Sequence, residues 1–162
     1  MKSTDAQTID ASAEAAVLVL ADPRFYLHRE SSESIDAIEL VDHLVDEDRV
    51  RLQIRFAFTG QLNAAARAIL DPDRLTWIQS TEHDLATGRV VFTILPDHYR
   101  DRIRCRGRYR IAPDGDGTSK RIVATELHVK APLVAGQVER VLMDGLRNEL
   151  EAQARAIPDY VP

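Results

Sequence analysis

One long amphipathic segment near the end of the chain constrains the fold more than any other feature. The stretch VKAPLVAGQVERVLMDGLRNELEAQARAI predicts the end of a strand, a proline and then a helix of about 25 residues. Its apolar side chains recur at spacings of three, four and seven residues and therefore share one helix face: Val134, Val138, Val141, Leu142, Leu146, Leu150 and Ile157. A stripe of this length requires an equally long apolar surface as its partner.

The other positions of this helix are expected to face away from that partner. Charged residues occupy most of them, namely Glu139, Arg140, Arg147, Glu149 and Glu151. Gly145 lies in mid-helix beside the stripe, where its missing side chain either lets the partner approach or leaves room. A second glycine, Gly107, falls inside a predicted strand and indicates a bend or a bulge there.

The partner surface is predicted to be an antiparallel sheet. A short strand at 3–9 and two short helices, the first capped by Ser12 and the second begun by Pro23, precede a run of alternating apolar and polar residues. Between 49 and 58 this alternation is strong, with apolar side chains at every second position. The strands of the run are predicted at 35–45, 49–58, 75–84, 89–95, 100–112 and 120–131. Turn-forming Pro, Asp, Gly and Asn separate them, which favours a meander of six strands after the first one.

Strand parity predicts which side chains face the helix. If Ala86 and Thr87 form a hairpin tip, His83 faces Val90, and every second residue on each strand shares the same side. The continuous inner face then comprises Trp77, Gln79, Thr81, His83, Val90, Phe92, Ile94, Ile103, Cys105, Tyr109, Val123, Leu127 and Val129. The strand at 35–45 has apolar residues on both parities, so parity does not orient it.

Composition narrows the classes of function. A net charge of -5 argues against nucleic acid as a partner. The single cysteine excludes an internal disulfide, and the scattered histidines predict neither a metal site nor a cofactor. Without an apolar run long enough to cross a bilayer, or a signal-like N-terminus, we expect a cytoplasmic protein that does not insert into membranes. We expect residues 1–162 to form a single domain, and oligomeric state has no signature in the sequence.

The order of elements resembles the helix-grip fold of the START and pollen-allergen-like superfamily, also called SRPBCC. The likeness rests on LADPRFY after the first helix, the six-strand meander, LHVKAPLVAG at the junction of strand and helix, and VERVLMDGLRNELEAQARAI. The last two segments resemble an actinobacterial branch of unknown function. The resemblance implies an α+β fold in which a curved antiparallel sheet of about seven strands (β-α-α-β6-α) wraps the C-terminal helix. It also implies a cavity between sheet and helix that holds an apolar ligand.

We therefore predict that the chain binds an apolar or amphipathic small molecule, as a carrier or sensor. The candidate ligand-binding residues are Trp77, Gln79, Thr81, His83, Phe92, Ile103, Cys105, Tyr109, Leu127, Val138, Leu142 and Leu146. His83, Thr81 and Gln79 would orient the polar end of the ligand. No catalytic residue is assigned, and Cys105 is predicted to be a buried apolar side chain and not a nucleophile.

Two alternatives stay open from the sequence. The first is an enzyme of the cyclase or hydrolase type that uses the same cavity, with His83 or Tyr109 as acid or base. The second is a protein-interaction module that uses an arginine-rich sheet face: Arg100, Arg102, Arg104, Arg106, Arg108 and Arg110. The same alternation is equally typical of a solvated outer face with cross-strand ion pairs, for example Arg106 opposite Glu126.

Overall fold

The predicted meander forms one curved antiparallel sheet of seven strands, in the order β1-β7-β6-β5-β4-β3-β2. The structure is a computed structural model and describes residues 1–30 and 32–162. Its elements are β1 Lys2–Ile9, α1 Ala13–Leu20, α2 Pro23–His28, β2 Ile35–Asp46, β3 Arg49–Phe58, α3 Ala64–Arg67, a 3-10 turn Pro72–Arg74, β4 Thr76–Asp84, β5 Arg89–Pro96, β6 Ile103–Pro113, β7 Ser119–Val129, α4 Ala135–Ala156 and a 3-10 turn Ile157–Tyr160. The helix-grip architecture is therefore confirmed, with α4 packed against the inner face of the sheet. Only α3 and the two 3-10 turns were not predicted among the elements of the described residues.

The helix boundaries follow the local signals in the sequence. Ser12 caps α1, because its Oγ accepts a hydrogen bond from the backbone N of Ala15 at 3.2 Å. Asp22 caps α2 in the same way through the backbone N of Arg24 at 2.9 Å, and Pro23 occupies the first helical turn. Both helices begin where the sequence predicts.

The predicted register of the central hairpin is confirmed. His83 pairs with Val90, Thr81 with Phe92 and Gln79 with Ile94, so that one face of β4 and β5 points inward. At the edge of the sheet, the pairing of β2 with β3 shifts around Ile38 and again around Val41. Each shift moves the following side chains to the opposite face, which explains why apolar residues occur on both parities of β2.

The buried face of α4 differs from the predicted stripe. Val138, Met143 and Ala154 are buried, whereas Leu142, Leu146 and Leu150 are half-buried. The prediction that Glu139 and Glu149 face away from the sheet is wrong, because both are buried. Each carboxylate has a partner that offsets its desolvation. Glu139 Oε1 accepts a hydrogen bond from the backbone N of Val129 at 3.0 Å, and Glu149 forms an ion pair with Arg29.

The two glycines of interest are sites of close approach. A Cβ on Gly145 would lie 2.5 Å from Cε2 of Phe58, so the missing side chain lets β3 approach α4. The predicted bulge at Gly107 is absent, since the register of β6 with β5 and with β7 runs through it without a shift. The ring of Phe92, directly across from Gly107, occupies the space that a side chain would take.

The arginine-rich face is shorter than predicted. Strand β6 begins at Ile103, so Arg100 and Arg102 lie in the preceding turn and not on the strand. Arg100 Nε donates instead to the carbonyl of Pro96 at 2.9 Å. The four arginines on β6 are exposed on the outer face, at 104, 106, 108 and 110. The expected cross-strand pair of Arg106 and Glu126 is present, with Nε and Oε2 2.9 Å apart.

None of the helices in the described residues combines the length and the apolar character needed to cross a bilayer. Across residues 1–30 and 32–162, no group of three or more His, Cys, Asp or Glu side chains is placed to hold a metal ion.

Candidate ligand-binding site

An apolar cavity lies between the sheet and α4, as the resemblance implied. Its walls come from the start of β4, the end of β5, the start of β6, the end of β7 and two turns of α4. The lining residues are Phe58, Arg74, Leu75, Thr76, Trp77, Ile94, Pro96, His98, Ile103, Cys105, Leu127, Leu142 and Leu146. Nearly all of the surface that faces the cavity is apolar, and the cavity is partly open to solvent.

The cavity is small. Its volume is about 60 Å³. Pockets for drug-sized ligands are typically about 300–1,000 Å³. A water inside needs two to four polar partners to be stable, and this lining offers almost none. The cavity therefore suits a slender apolar group better than water or a bulky ligand.

The structure places half of the predicted binding residues on this cavity. Six line it: Trp77, Ile103, Cys105, Leu127, Leu142 and Leu146. Six do not: Gln79, Thr81, His83, Phe92, Tyr109 and Val138. The parity of these residues is as predicted, but the cavity lies at the other end of β4, away from the 83–90 hairpin. Parity specifies which side of the sheet a residue faces, whereas the position of a void along the strand depends on how α4 packs.

His83 is buried away from the cavity. Only 1% of its surface is exposed, and its Nε2 lies 2.9 Å from Oγ1 of Thr81. Because Thr81 donates its own hydroxyl hydrogen to the carbonyl of Leu52 at 3.3 Å, its oxygen accepts from the Nε2–H of His83. Burial lowers the pKa of His83 from 6.5 to about 4, so the ring is neutral near pH 7.

The two other ionisable groups predicted on the inner face are also held in their neutral forms. Burial raises the pKa of the Cys105 thiol to about 12, and burial raises the pKa of the Tyr109 phenol to about 12. Cys105 lines the cavity as an apolar side chain, as predicted, and it is 5% exposed. His83 and Tyr109, the two candidate acid-base residues, do not converge on the cavity.

The sequence analysis did not predict a buried guanidinium on this face. Arg121 shares the inward parity of Val123, and it is fully buried. Its Nε donates to Gln7 Oε1 at 2.9 Å, one terminal nitrogen donates to Gln153 Oε1 at 2.9 Å, and the other donates to the carbonyl of Leu150 at 2.8 Å. Its Cζ lies 5.4 Å from the ring centroid of Tyr109. An arginine in strand alternation is ordinarily assigned to the solvent side, and only its partners on other elements reveal that it is buried.

The sequence analysis also did not predict the residues at the mouth of the cavity. Arg74 and His98 are exposed and lie in the segments that precede β4 and follow β5. The indole Nε1 of Trp77, another lining residue, is buried and has no hydrogen-bond partner among the described residues. Loop residues like Arg74 and His98 follow no periodic pattern, so nothing in the sequence marks them as neighbours.

A second, wider space lies on the outer face of the sheet. It has a volume of about 940 Å³, is open, and is bordered by charged residues including Arg104, Arg106 and Glu126. Five residues border both spaces, at 94, 96, 103, 105 and 127, where the pairing of β5 with β6 ends. We assign the ligand site to the inner cavity, because its lining is almost wholly apolar and lies between the sheet and α4, whereas charged side chains border the outer groove.

Comparison with known proteins gives a family and a fold. The model of a family described as "Protein of unknown function (DUF2505)" matches residues 4–161. A search of curated proteins found no match.

Three solved structures are similar over nearly the whole chain. The Zhui aromatase/cyclase from Streptomyces sp. R1128 has a TM-score of 0.65 at 14% identity, covering 98% of this chain and 93% of that one. A START superfamily protein from Mycobacterium smegmatis has a TM-score of 0.62 at 15% identity, with 99% of each chain covered. Norcoclaurine synthase from Thalictrum flavum, in complex with dopamine and hydroxybenzaldehyde, has a TM-score of 0.61 at 14% identity, covering 100% of this chain and 88% of that one. At these identities the likeness concerns the fold, and it confirms the START-type helix grip.

Proposed function

This chain belongs to the DUF2505 family of proteins of unknown function, so family membership brings no activity with it, and we propose a function from the inner cavity. The proposed function is the binding of a small apolar or amphipathic molecule, as a carrier or sensor. One observation carries the proposal: the cavity between sheet and helix is open, yet almost wholly apolar. Water gains little in such a space, and an apolar group that enters it gains about 25 cal/mol for each Å² removed from water.

The size of the cavity restricts the proposed ligand. With room of about 60 Å³, the site takes one slender apolar segment, and the rest of the molecule remains at the mouth. The binding residues proposed from the structure are Trp77, Cys105, Leu127, Leu142 and Leu146, among the lining. The two leucines lie one turn apart on α4 and are half-buried, so they form the side of the cavity most able to adjust.

The neighbouring folds support a binding cavity without naming its ligand. The structure of norcoclaurine synthase contains dopamine and hydroxybenzaldehyde, and the Zhui protein is an aromatase/cyclase. Binding is favoured over catalysis for this chain, because neither His83 nor Tyr109 lines the cavity. A group that acts as acid or base must come within hydrogen-bond reach of the reacting atom, directly or through one water.

Binding of a neutral, rod-shaped fluorescent dye, 1,6-diphenyl-1,3,5-hexatriene, tests the proposal, because the dye is no wider than one phenyl ring and suits a narrow cavity. Leu146→Trp should fill the cavity and weaken dye binding at least tenfold, a loss of about 1.4 kcal/mol. Leu146→Ala should enlarge the cavity and keep or strengthen dye binding. The control is Leu18→Trp, since Leu18 is 54% exposed on α1 and lies outside the cavity.

The two leucine variants distinguish a blocked site from a damaged fold. Thermal unfolding of each variant shows whether the fold is kept. If folded Leu146→Trp binds the dye as tightly as the wild type does, the ligand site is not this cavity. Native mass spectrometry of protein purified from its own host would then identify any apolar molecule that is carried.

A further inference from the structure

Within residues 1–30 and 32–162, only three ionisable side chains line the inner cavity. Two of them, Arg74 and His98, lie at its mouth, and the third is the buried thiol of Cys105. Arg74 and His98 are exposed, whereas the lining behind them is apolar and mostly buried. A ligand whose apolar segment fills the cavity therefore has its outer end beside a guanidinium and an imidazole. We infer that this mouth is a subsite for a carboxylate, so that the ligand class is a slender apolar carboxylic acid. The inference rests on the proposed function and specifies its ligand.

The guanidinium of Arg74 is held in position by an aromatic ring. Its Cζ lies 5.7 Å from the ring centroid of Tyr99, a cation–π arrangement. The hydroxyl of Tyr99 accepts a hydrogen bond from the backbone N of Asp71 at 2.9 Å, and its carbonyl accepts from the backbone N of Ile103 at 2.9 Å. Tyr99 has a φ of 63°, in the left-handed region that side chains rarely adopt. These contacts fix the ring across the loops on either side of the mouth, and the ring positions the cation.

The two side chains at the mouth offer hydrogen-bond donors to a ligand. A terminal nitrogen of Arg74 lies 3.2 Å from Nδ1 of His98. Because a guanidinium can only donate, Nδ1 accepts, and the proton of the neutral ring is on Nε2. The remaining N–H groups of Arg74 have no partner within residues 1–30 and 32–162, where Arg74 also forms no ion pair. A carboxylate accepts from such a planar fork in a bidentate way, and an alcohol does not.

Two carboxylates in the segments beside the mouth have other partners. Asp97 accepts from Arg55 at 3.0 and 3.2 Å and from the hydroxyl of Thr76 at 2.8 Å, and the bond from Arg55 holds its pKa below the usual range. Asp71 Oδ1 accepts from the backbone N of Asp73 and caps the 3-10 turn. The charge of Asp97 is thus compensated by Arg55, which leaves Arg74 free for an external anion.

The test compares two probes of equal length, octanoate and octan-1-ol, by displacement of the neutral dye at about pH 8, where a carboxylic acid is ionised. The wild type should bind octanoate about two- to fivefold more tightly than octanol, the range expected for a partly exposed charge pair. Arg74→Met keeps the apolar stem and removes the cation, so it should abolish this preference by lowering the affinity for octanoate to about that for octanol. Arg89→Met, at the opposite end of β5 and also exposed, should retain the preference.

The possible results separate the ligand class from the cavity itself. Equal binding of both probes by the wild type, or a preference that persists in Arg74→Met, would overturn the carboxylate subsite while the cavity still binds apolar ligands. If the dye binds but neither probe displaces it, the slender ligand class and the carboxylate subsite fail while the binding function stands. If the dye itself does not bind, the proposed binding function fails, and the subsite fails with it. If Arg89→Met also loses the preference for octanoate over octanol, the overall charge of the protein causes that preference, and the proposed role of Arg74 is overturned.

Discussion

Burial determines the protonation state of three side chains on the inner face. His83, Cys105 and Tyr109 are each less than 10% exposed, and burial is the first cause of each pKa shift. In every case the shift favours the neutral form, since a charge in an apolar environment loses its hydration. The inner face therefore carries no charge from these three side chains near pH 7. His83 is the one whose shift falls in an accessible pH range.

Protonation of His83 should destabilise the fold in mild acid. Its pKa is about 4 in the folded chain and 6.5 as the reference, so between these values the unfolded chain binds a proton that the folded chain does not. Stability contributed by the neutral ring is present above about pH 6.5 and is lost as pH falls toward 4, by up to about 3 kcal/mol. Urea unfolding of the wild type and His83→Gln between about pH 7.5 and 4.5 measures the difference in slope.

The His83→Gln variant serves as the reference, because carboxylates such as Asp97 titrate both in this variant and in the wild type. Their acid-induced losses cancel when the two pH profiles are subtracted. Parallel profiles would show that His83 is solvated or already paired in its charged form.

Among the elements, α4 depends on close approach to the sheet at one glycine. Gly145 is buried against the ring of Phe58, whereas a Cβ on Gly136, in the first turn, would have no atom within 4 Å. In isolation, either glycine costs a helix interior about 1 kcal/mol relative to alanine. The packing around each glycine determines whether replacing it with alanine removes this loss of helix stability.

The two glycines of α4 should respond to alanine with opposite signs. Gly136→Ala should stabilise by a few tenths to about 1 kcal/mol, because only helix propensity changes. Gly145→Ala should destabilise by up to about 2 kcal/mol, since overpacking against Phe58 costs roughly 1–3 kcal/mol and the gain in helix propensity offsets about 1 kcal/mol of it. Chemical denaturation of the two single variants measures both effects. Stabilisation by Gly145→Ala would mean that β3 and α4 are not in close contact there.

At the scale of the whole molecule, a buried polar network joins distant parts of the chain. Arg29, just after α2, pairs with Glu149 of α4, and Glu149 Oε1 accepts from Gln153 at 2.9 Å. Gln153 in turn accepts from Arg121 of β7, which also binds Gln7 of β1. Two cations and one carboxylate thus lie in the interior, and burial lowers the pKa of Arg121. Such a network holds α4 in one position on the sheet.

Removing one member of the buried ion pair between Arg29 and Glu149 should lower the free energy of unfolding more than removing both. Arg29→Met leaves Glu149 buried without its cation, and we expect a loss of about 3–5 kcal/mol. Arg29→Met combined with Glu149→Leu should recover much of that loss, because the carboxylate that lost its cation is also removed and Arg121 keeps its hydrogen bonds to Gln7, Gln153 and Leu150. The matched control is Arg24→Met, whose exposed pair with Asp22 should be worth about 0–1 kcal/mol.

Equilibrium unfolding of the four proteins completes this double-variant comparison. A loss for Arg29→Met no larger than that for Arg24→Met would contradict a buried pair. A double variant less stable than Arg29→Met would show that Glu149 has other favourable partners.

The sequence by itself determined the order of elements and the faces of the central strands. Alternation and turn residues predicted each strand of the sheet, and the hairpin arithmetic at Ala86 and Thr87 gave the observed pairing of His83 with Val90. The periodicity of the last segment predicted α4 and its place on the sheet. These features are local, because period and turn chemistry are set by neighbouring residues.

Only the tertiary structure decided where the cavity lies and which polar groups are buried. Gln79, Thr81 and His83 have the predicted parity, yet the void is at the other end of β4, where Arg74 and His98 meet from separate loops. Arg121 and Glu149 carry charges that are typical of exposed residues, and they are buried because each finds partners on distant elements. Burial and cavities depend on contacts between residues far apart in the chain, and the spacing of residues along one strand or helix carries no record of those contacts.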